Sequence, residues 1–247
     1  DDDGRIWITP AAVDKGNLLP KDVVAIHPDG STEGLHAPSS EHPFHSEIYR
    51  ARPDLGAILH AHPPALVSFS IVRRIPDTRI LPKSRQICGE VGFASYAVPG
   101  SEELGKNISE TFKKGHDTVL LENHGIACSG STLHQAFQRF ETLDFCARLI
   151  IQSRQLGSPQ VLSQEQLNFI KGDSHLLPEI DIEERSGREL ELRKELVKFI
   201  HRAYEQMLIT STEGTFSARI SDDEFLITPY GLDRYELEPS DFVLIRN

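Results

Sequence analysis

The chain nearly repeats itself. Residues 8–26, ITPAAVDKGNLLPKDVVAI, align without a gap onto residues 227–245, ITPYGLDRYELEPSDFVLI. Ile-Thr-Pro, Asp14/Asp233, Leu18/Leu237, Pro20/Pro239, Asp22/Asp241, Val24/Val243 and Ile26/Ile245 are identical. Nine identities over 19 ungapped positions exceed what two unrelated strand–turn–strand stretches give, and read as duplication. Whatever local structure the first segment adopts, the second must adopt too. We therefore expect a tandem of two similar domains: residues 1–172 as a copy lacking its first helix and hairpin, 173–188 as a linker, and 189–247 as the opening part of a second copy. The acidic stretch Glu179 to Glu184, with Pro178 and Gly187 and no apolar period, marks the linker.

Between the repeats, strand and helix patterns alternate, which indicates an α/β class. Strands are expected at 5–10, 22–30, 56–64 and 118–123. A helix follows Ser39 and Ser40, whose hydroxyls offer N-caps, with Pro43 in its first turn and Arg52-Pro53 at its end. Another runs from about Ser101 to Gly115, carrying Leu104, Ile108 and Phe112. A long helix from about Ser131 to Gly157 should bury Leu133, Phe137, Phe140, Leu143, Ala147 and Ile150, and Ser163 with Gln166 forms a capping box for a short one. Near the end, Leu196, Ile200, Ala203, Tyr204 and Met207 mark a helical face, and 217–229 reads as two strands turning at Ser221-Asp222-Asp223.

Charge and composition exclude several partners. Lys and Arg number 26 against 37 Asp and Glu, a net charge of −11 without a basic cluster, so nucleic acid is not an expected ligand. No apolar run reaches the roughly 20 residues that span a bilayer, and the Asp1-Asp2-Asp3 start is unlike a signal peptide. The expectation is a cytoplasmic protein with no membrane partner. Cys88, Cys128 and Cys146 lack ligand or disulfide spacing and are read as reduced thiols.

The chemistry concentrates in histidines. His60 and His62, two apart in a strand, project to one face within reach of a single ion. A lone HxH is as readily a packing or surface pair. His124, in Glu122-Asn123-His124-Gly125 at a strand end, sits where sites on α/β scaffolds are built, although an ordinary turn histidine fits there too. Glu41, at a helix start, is on its own read as a carboxylate favoured by the helix dipole.

Three blocks, PSSEHPFHSEIYRARPDLGAILHAHPP (38–64), YAVPGSEEL (96–104) and VLLENHGIACSGSTLHQAFQRFE (119–141), resemble in order and spacing the class II aldolase/adducin family. Residues 191–220 resemble its amino-terminal helix and hairpin. The resemblance implies a central, mainly antiparallel sheet flanked by helices. It implies that His60, His62 and His124 hold zinc or another divalent metal, that Glu41 is the acid/base, and that Ser39 and Ser40 contact substrate. The implied activity is that of a lyase of carbohydrate metabolism, an aldol-type cleavage of a small hydroxy-carbonyl, sugar or sugar-phosphate-like compound, by a homo-oligomer. Such a site makes chemical sense: three neutral imidazoles leave the ion doubly charged and open to a chelating hydroxy-carbonyl, so an enediolate is stabilised while a carboxyl moves the proton.

The family also holds epimerases and a dehydratase on the same scaffold, and adducin-like interaction modules without turnover. The intact histidines favour an enzyme over a module. Of the phosphate-holding elements that the family's sugar-phosphate aldolases use, only Ser39-Ser40 is plain: Ala11-Ala12 follow the first Ile-Thr-Pro, and Gly214-Thr215 replaces a Gly-Asn pair.

Overall fold

Strand β1 (Ile6–Ile8) and β2 (Val24–Ile26) form an antiparallel pair to which β3 (Thr32–Glu33) adds. The computed structural model describes residues 1, 3–169 and 185–246, which divide into two compact units, Asp1–Leu162 and Ser163–Asn247. Most of the expected 173–188 linker lies outside the described residues, and its last two positions, Gly187 and Arg188, open a helix.

The first unit continues as α1 (His42–Ala51), β4 (Ala57–Ala61), α2 (Pro64–Ile71), α3 (Pro82–Cys88), β5 (Val91–Ala94), α4 (Glu102–Lys113), β6 (Thr118–Leu121), β7 (Gly125–Gly130) and α5 (Leu133–Ser153). Its central sheet has the order β4-β7-β6-β5, antiparallel except between β5 and β6. All four residues of β6 are buried because both faces are covered. Val119 and Leu121 point into one core with Phe44 and Ile48 of α1 and Leu104, Ile108 and Phe112 of α4. Leu120 points into the other, with Leu66 and Phe69 of α2 and Leu143, Cys146 and Ile150 of α5. The period-two alternation of the strand thus divides one buried run between two helical layers. Cys88, Cys128 and Cys146 are buried in that second core and form no disulfide, and burial pushes the Cys128 thiol up.

Caps set the helix ends. Ser101 Oγ accepts from the Leu104 N–H (3.2 Å) to start α4, and Gly115, with φ of 92°, follows its end. Thr132, not Ser131, caps α5. Leu133 and Phe137 are exposed, against expectation, while Ala136, Leu143, Ala147 and Ile150 are buried: the first turn meets the end of β7 through Ala136, and Leu133 and Phe137 face away from that contact. Helices α2 and α3 and strands β5 and β7 were not anticipated; α2 scatters its apolar residues round the helix and buries Ser70 while exposing Ile71, so it shows no amphipathic period.

The second unit holds α6 (Gln164–Phe169), α7 (Gly187–Glu205) and a sheet of β8 (Ser217–Arg219), β9 (Glu224–Ile227) and β10 (Val243–Arg246) in the order β10-β9-β8. The expected capping box starts α6, with Ser163 N–H on Gln166 Oε1 (2.8 Å) and Gln166 N–H on Ser163 Oγ (3.2 Å). Leu196 and Ile200 of α7 are buried against Leu226, Leu237 and Phe242; Met207 is exposed.

The repeated segments build the same local structure. Ile8↔Val24 and Ile6↔Ile26 in β1–β2 correspond, at the repeat's offset, to Ile227↔Val243 and Phe225↔Ile245 in β9–β10. Asp14 accepts from Gly16 N–H (3.0 Å) as Asp233 does from Tyr235 N–H (2.9 Å). Asp22 accepts from Leu19 N–H (2.9 Å) as Asp241 does from Glu238 N–H (2.7 Å), each before a proline that opens a 3₁₀ turn. Ala12 and Gly231 occupy the same left-handed position, with φ of 54° and 80°. Among the residues the two segments share, Asp14, Pro20 and Asp22 turn and cap the chain, and Ile8, Val24 and Ile26 are buried on the strands.

Candidate metal centre

Three pieces of chain deliver the site. Strand β4 ends at Ala61, so His60 is its penultimate residue and His62 stands just past it, where Pro63 and Pro64 turn the chain into α2. His124 comes from the turn between β6 and β7. Its N–H donates to Leu121 O (3.1 Å), and Asn123 adopts φ of 53°, a left-handed conformation that asparagine tolerates better than most residues. Gly125 follows because β4 passes close by: a Cβ there would stand 2.5 Å from Ala61 O and 2.9 Å from His62 Cδ2. The Asn-His-Gly triplet is thus a left-handed turn, a ligand-type side chain and a close approach. Glu41 is the N-cap residue of α1, and its side chain makes no cap bond.

These four side chains meet. One donor atom from each of Glu41, His60, His62 and His124 lies within 4.8 Å of every other. Glu41 Oε2 is 2.8 Å from His60 Nε2 and Oε1 is 3.0 Å from His124 Nε2, while His60 Nε2 and His62 Nε2 are 3.1 Å apart. Phe44 walls the site edge-on to His60, with ring centroids 5.3 Å apart.

The donor set suits a divalent ion. His60 Nδ1 lies 2.9 Å from Ile126 O, which only accepts, so Nδ1 donates there and Nε2 is the nitrogen turned toward the centre, the one that would meet an ion. Burial, then the neighbouring His60 and His124, holds the His62 imidazole below its ordinary pKa, favouring the neutral, ligating form. Burial works to raise the Glu41 carboxyl, but hydrogen bonds to His124 and His60 together outweigh it and hold Glu41 well below the usual carboxylate range. His45, one helical turn beyond Glu41, is pushed down to about 4 by burial and then by His60.

Ser39 and Ser40 lie beside the centre in sequence, but their expected capping does not occur. Ser39 Oγ instead accepts from the Glu41 N–H (3.3 Å), and Ser39 N–H donates to Thr9 O (3.1 Å), so the Pro38–Ser40 loop runs along the segment after β1. Ser40 is exposed.

Two residues that the sequence reading passed over attach to the His124 turn. Glu122 accepts from Tyr96 N–H (2.9 Å) and pairs with Arg73 Nε (2.5 Å). The signal lay in Arg73, an arginine at a helix end where glycine is usual.

The family model described as Class II Aldolase and Adducin N-terminal domain matches residues 1–151 and 194–247. The chain is 29% identical over 180 residues to a 5-methylthioribulose-1-phosphate/5-deoxyribulose-1-phosphate aldolase of Rhodospirillum rubrum, covering 70% of this chain and 80% of the relative. It is 30% identical over 152 residues to a 3-oxo-tetronate 4-phosphate decarboxylase of Haemophilus influenzae, covering 60% and 72%. A solved L-fuculose 1-phosphate aldolase superimposes with a TM-score of 0.60 at 31% identity, over 67% of this chain and 78% of that one.

Proposed function

This chain belongs to the class II aldolase and adducin N-terminal domain family, and on that premise we propose that it is a divalent-metal-dependent lyase acting on a small hydroxy-carbonyl compound of sugar or sugar-phosphate type. The observation that carries this reading is the convergence of Glu41, His60, His62 and His124 on one point. We assign His60, His62 and His124 to the metal and Glu41 to proton transfer. Zinc suits three imidazoles with one position left for substrate. A bound ion supplies Lewis acidity to the substrate's carbonyl oxygen.

The chain's own groups do the rest. The carboxylate of Glu41 takes the proton of the substrate's β-hydroxyl. The bond between α- and β-carbons then breaks, the β-carbon leaves as an aldehyde, and the electron pair stays on the carbonyl fragment. Glu41 returns its proton to the α-carbon, so atoms and charge balance. Phe44 shields one side of His60 from water, and Ser39 and Ser40, close to Glu41 in the chain, are assigned to substrate.

The decarboxylase relative favours a second reading, loss of carbon dioxide from a 3-oxo acid, in which the same electron pair is delivered to the same carbonyl fragment. The duplication belongs to the proposal as well: residues 189–247 are taken as the opening part of a second copy. Its support is the shared strand register and the match of both 1–151 and 194–247 to one family model.

Metal analysis of purified protein, followed by a screen of hydroxy-carbonyl compounds with and without phosphate, tests the reading. About one divalent ion per chain is expected, lost in His60→Ala and His124→Ala but kept in Glu41→Gln, whose turnover falls by roughly 10²–10⁴. Protein that neither carries nor takes up metal, or full activity in Glu41→Gln, overturns it.

A further inference from the structure

The two histidines that face Glu41 are held differently. His60 is oriented by its own Nδ1, which donates to Ile126 O. Nδ1 of His124 is buried and has no hydrogen-bond partner among the described residues. Apart from the 3.0 Å contact of its Nε2 with Glu41, the ring of His124 depends for its position on the turn that carries it.

That turn is tied down through Glu122. Its backbone N–H donates to Ala94 O at 3.0 Å, one carboxylate oxygen accepts from Tyr96 N–H at 2.9 Å, and the other meets Arg73 Nε at 2.5 Å. The carboxylate is largely buried, with 12% of its side chain exposed. Arg73 comes from the end of α2, the helix that starts directly after His62. There Arg74 N–H donates to Phe69 O and Arg73 N–H to Ser70 O, at 3.0 and 3.2 Å, a glycine-type helix ending. Arg73 holds φ of 53°, where glycine would sit without steric cost. A strained residue beside a functional site, whose side chain is 75% exposed yet pairs with the buried carboxylate of the segment bearing a ligand, points to a use for the strain.

We infer that Glu122 and Arg73 are positioning residues for His124: Glu122 pegs the ligand turn to the loop after β5 and to the end of α2, and Arg73 keeps its left-handed conformation in order to reach it. The inference rests on the metal reading above for its effect on metal. The peg itself is defined without metal, and the test separates the two.

Arg73→Gly and Glu122→Ala are made in the full chain. Four quantities are read: zinc affinity by competition with a chromophoric chelator, the visible absorption of the cobalt-substituted protein, amide hydrogen exchange over residues 121–125, and the melting temperature of the metal-free protein. Arg73→Gly should melt no lower than the parent, since glycine relieves the left-handed residue. Its turn should nevertheless exchange several-fold faster, with metal bound roughly 3–10-fold more weakly. Glu122→Ala should weaken metal by about 10–100-fold, the range for groups that orient ligands, and alter the cobalt spectrum. A role confined to stability would lower melting and leave the spectrum unchanged. Unchanged exchange over 121–125 in both variants overturns the peg whether or not metal binds, and unchanged zinc affinity with an unchanged cobalt spectrum overturns its effect on His124. Absence of zinc binding by the parent protein sinks the metal reading instead, and the exchange data still decide the peg.

Discussion

Replacing Gly125 by alanine adds one methyl group at the tightest point of the centre. Built on the existing backbone, the new Cβ stands 2.5 Å from Ala61 O, 2.9 Å from His62 Cδ2 and 3.4 Å from Ala61 C. Ordinary carbon–oxygen contact lies about 0.7–1 Å further out, so either the end of β4 retreats by that amount or β7 does. Relief by β7 is blocked, because Gly125 pairs with Leu121 and Ile126 with Ala61, so moving it strains both ladders. The shift therefore falls on Ala61 and His62, and overpacking of this kind costs about 1–3 kcal/mol. For a chain of this size that is roughly 2–10 °C in melting temperature. Displacing His62 by close to 1 Å spoils a site whose donor atoms span 4.8 Å, and zinc affinity should fall about 10–100-fold. Competition with a chromophoric chelator measures the affinity and calorimetry the stability. A Gly125→Ala protein with parental zinc affinity and a melting temperature within about 1 °C of the parent's would refute the assignment of Gly125 as the spacer between β4 and the His124 turn.

At Asn123, whose φ is 53°, Asn123→Gly should retain metal affinity, whereas Asn123→Val, forced into a conformation β-branched residues avoid, should lose about 1–3 kcal/mol in chemical denaturation. Metal-free protein should lose stability as pH falls from about 6.5: His45 stays neutral in the folded state down to about 4 while the unfolded chain takes up the proton, so the unfolded state gains up to about 3 kcal/mol over that window, and His45→Asn should flatten the slope in urea melts at stepped pH. Zinc at about 100 times its dissociation constant should stabilise the parent by about 2.7 kcal/mol and His60→Ala by almost nothing, read as melting-temperature shifts. Light scattering should find an oligomer, as the family resemblance implies; a strict monomer over a wide concentration range would count against it.

The local pieces are written in the order of the residues. Asp14, Pro20 and Asp22 recur as Asp233, Pro239 and Asp241 because each makes a turn or cap with neighbours two or three positions away, and such bonds form wherever those residues occur. The ends of α4 and the Ser163–Gln166 box were legible for the same reason. His60, His62, His124 and Glu41 were legible as candidates because their motifs are local. Distance comes from the folded chain. The register that sets His60 opposite Ala127 and Ala61 opposite Ile126 joins segments more than 60 residues apart, and it alone carries the HxH pair to the turn of His124. It also decided which faces find cover. Leu133 and Phe137 share the apolar period of α5 yet stand in solvent, while α2, which offered no period to read, packs Ala65, Leu66 and Phe69 into the core. Burial depends on what lies across a helix, and a one-dimensional pattern records only the helix's own side of that contact.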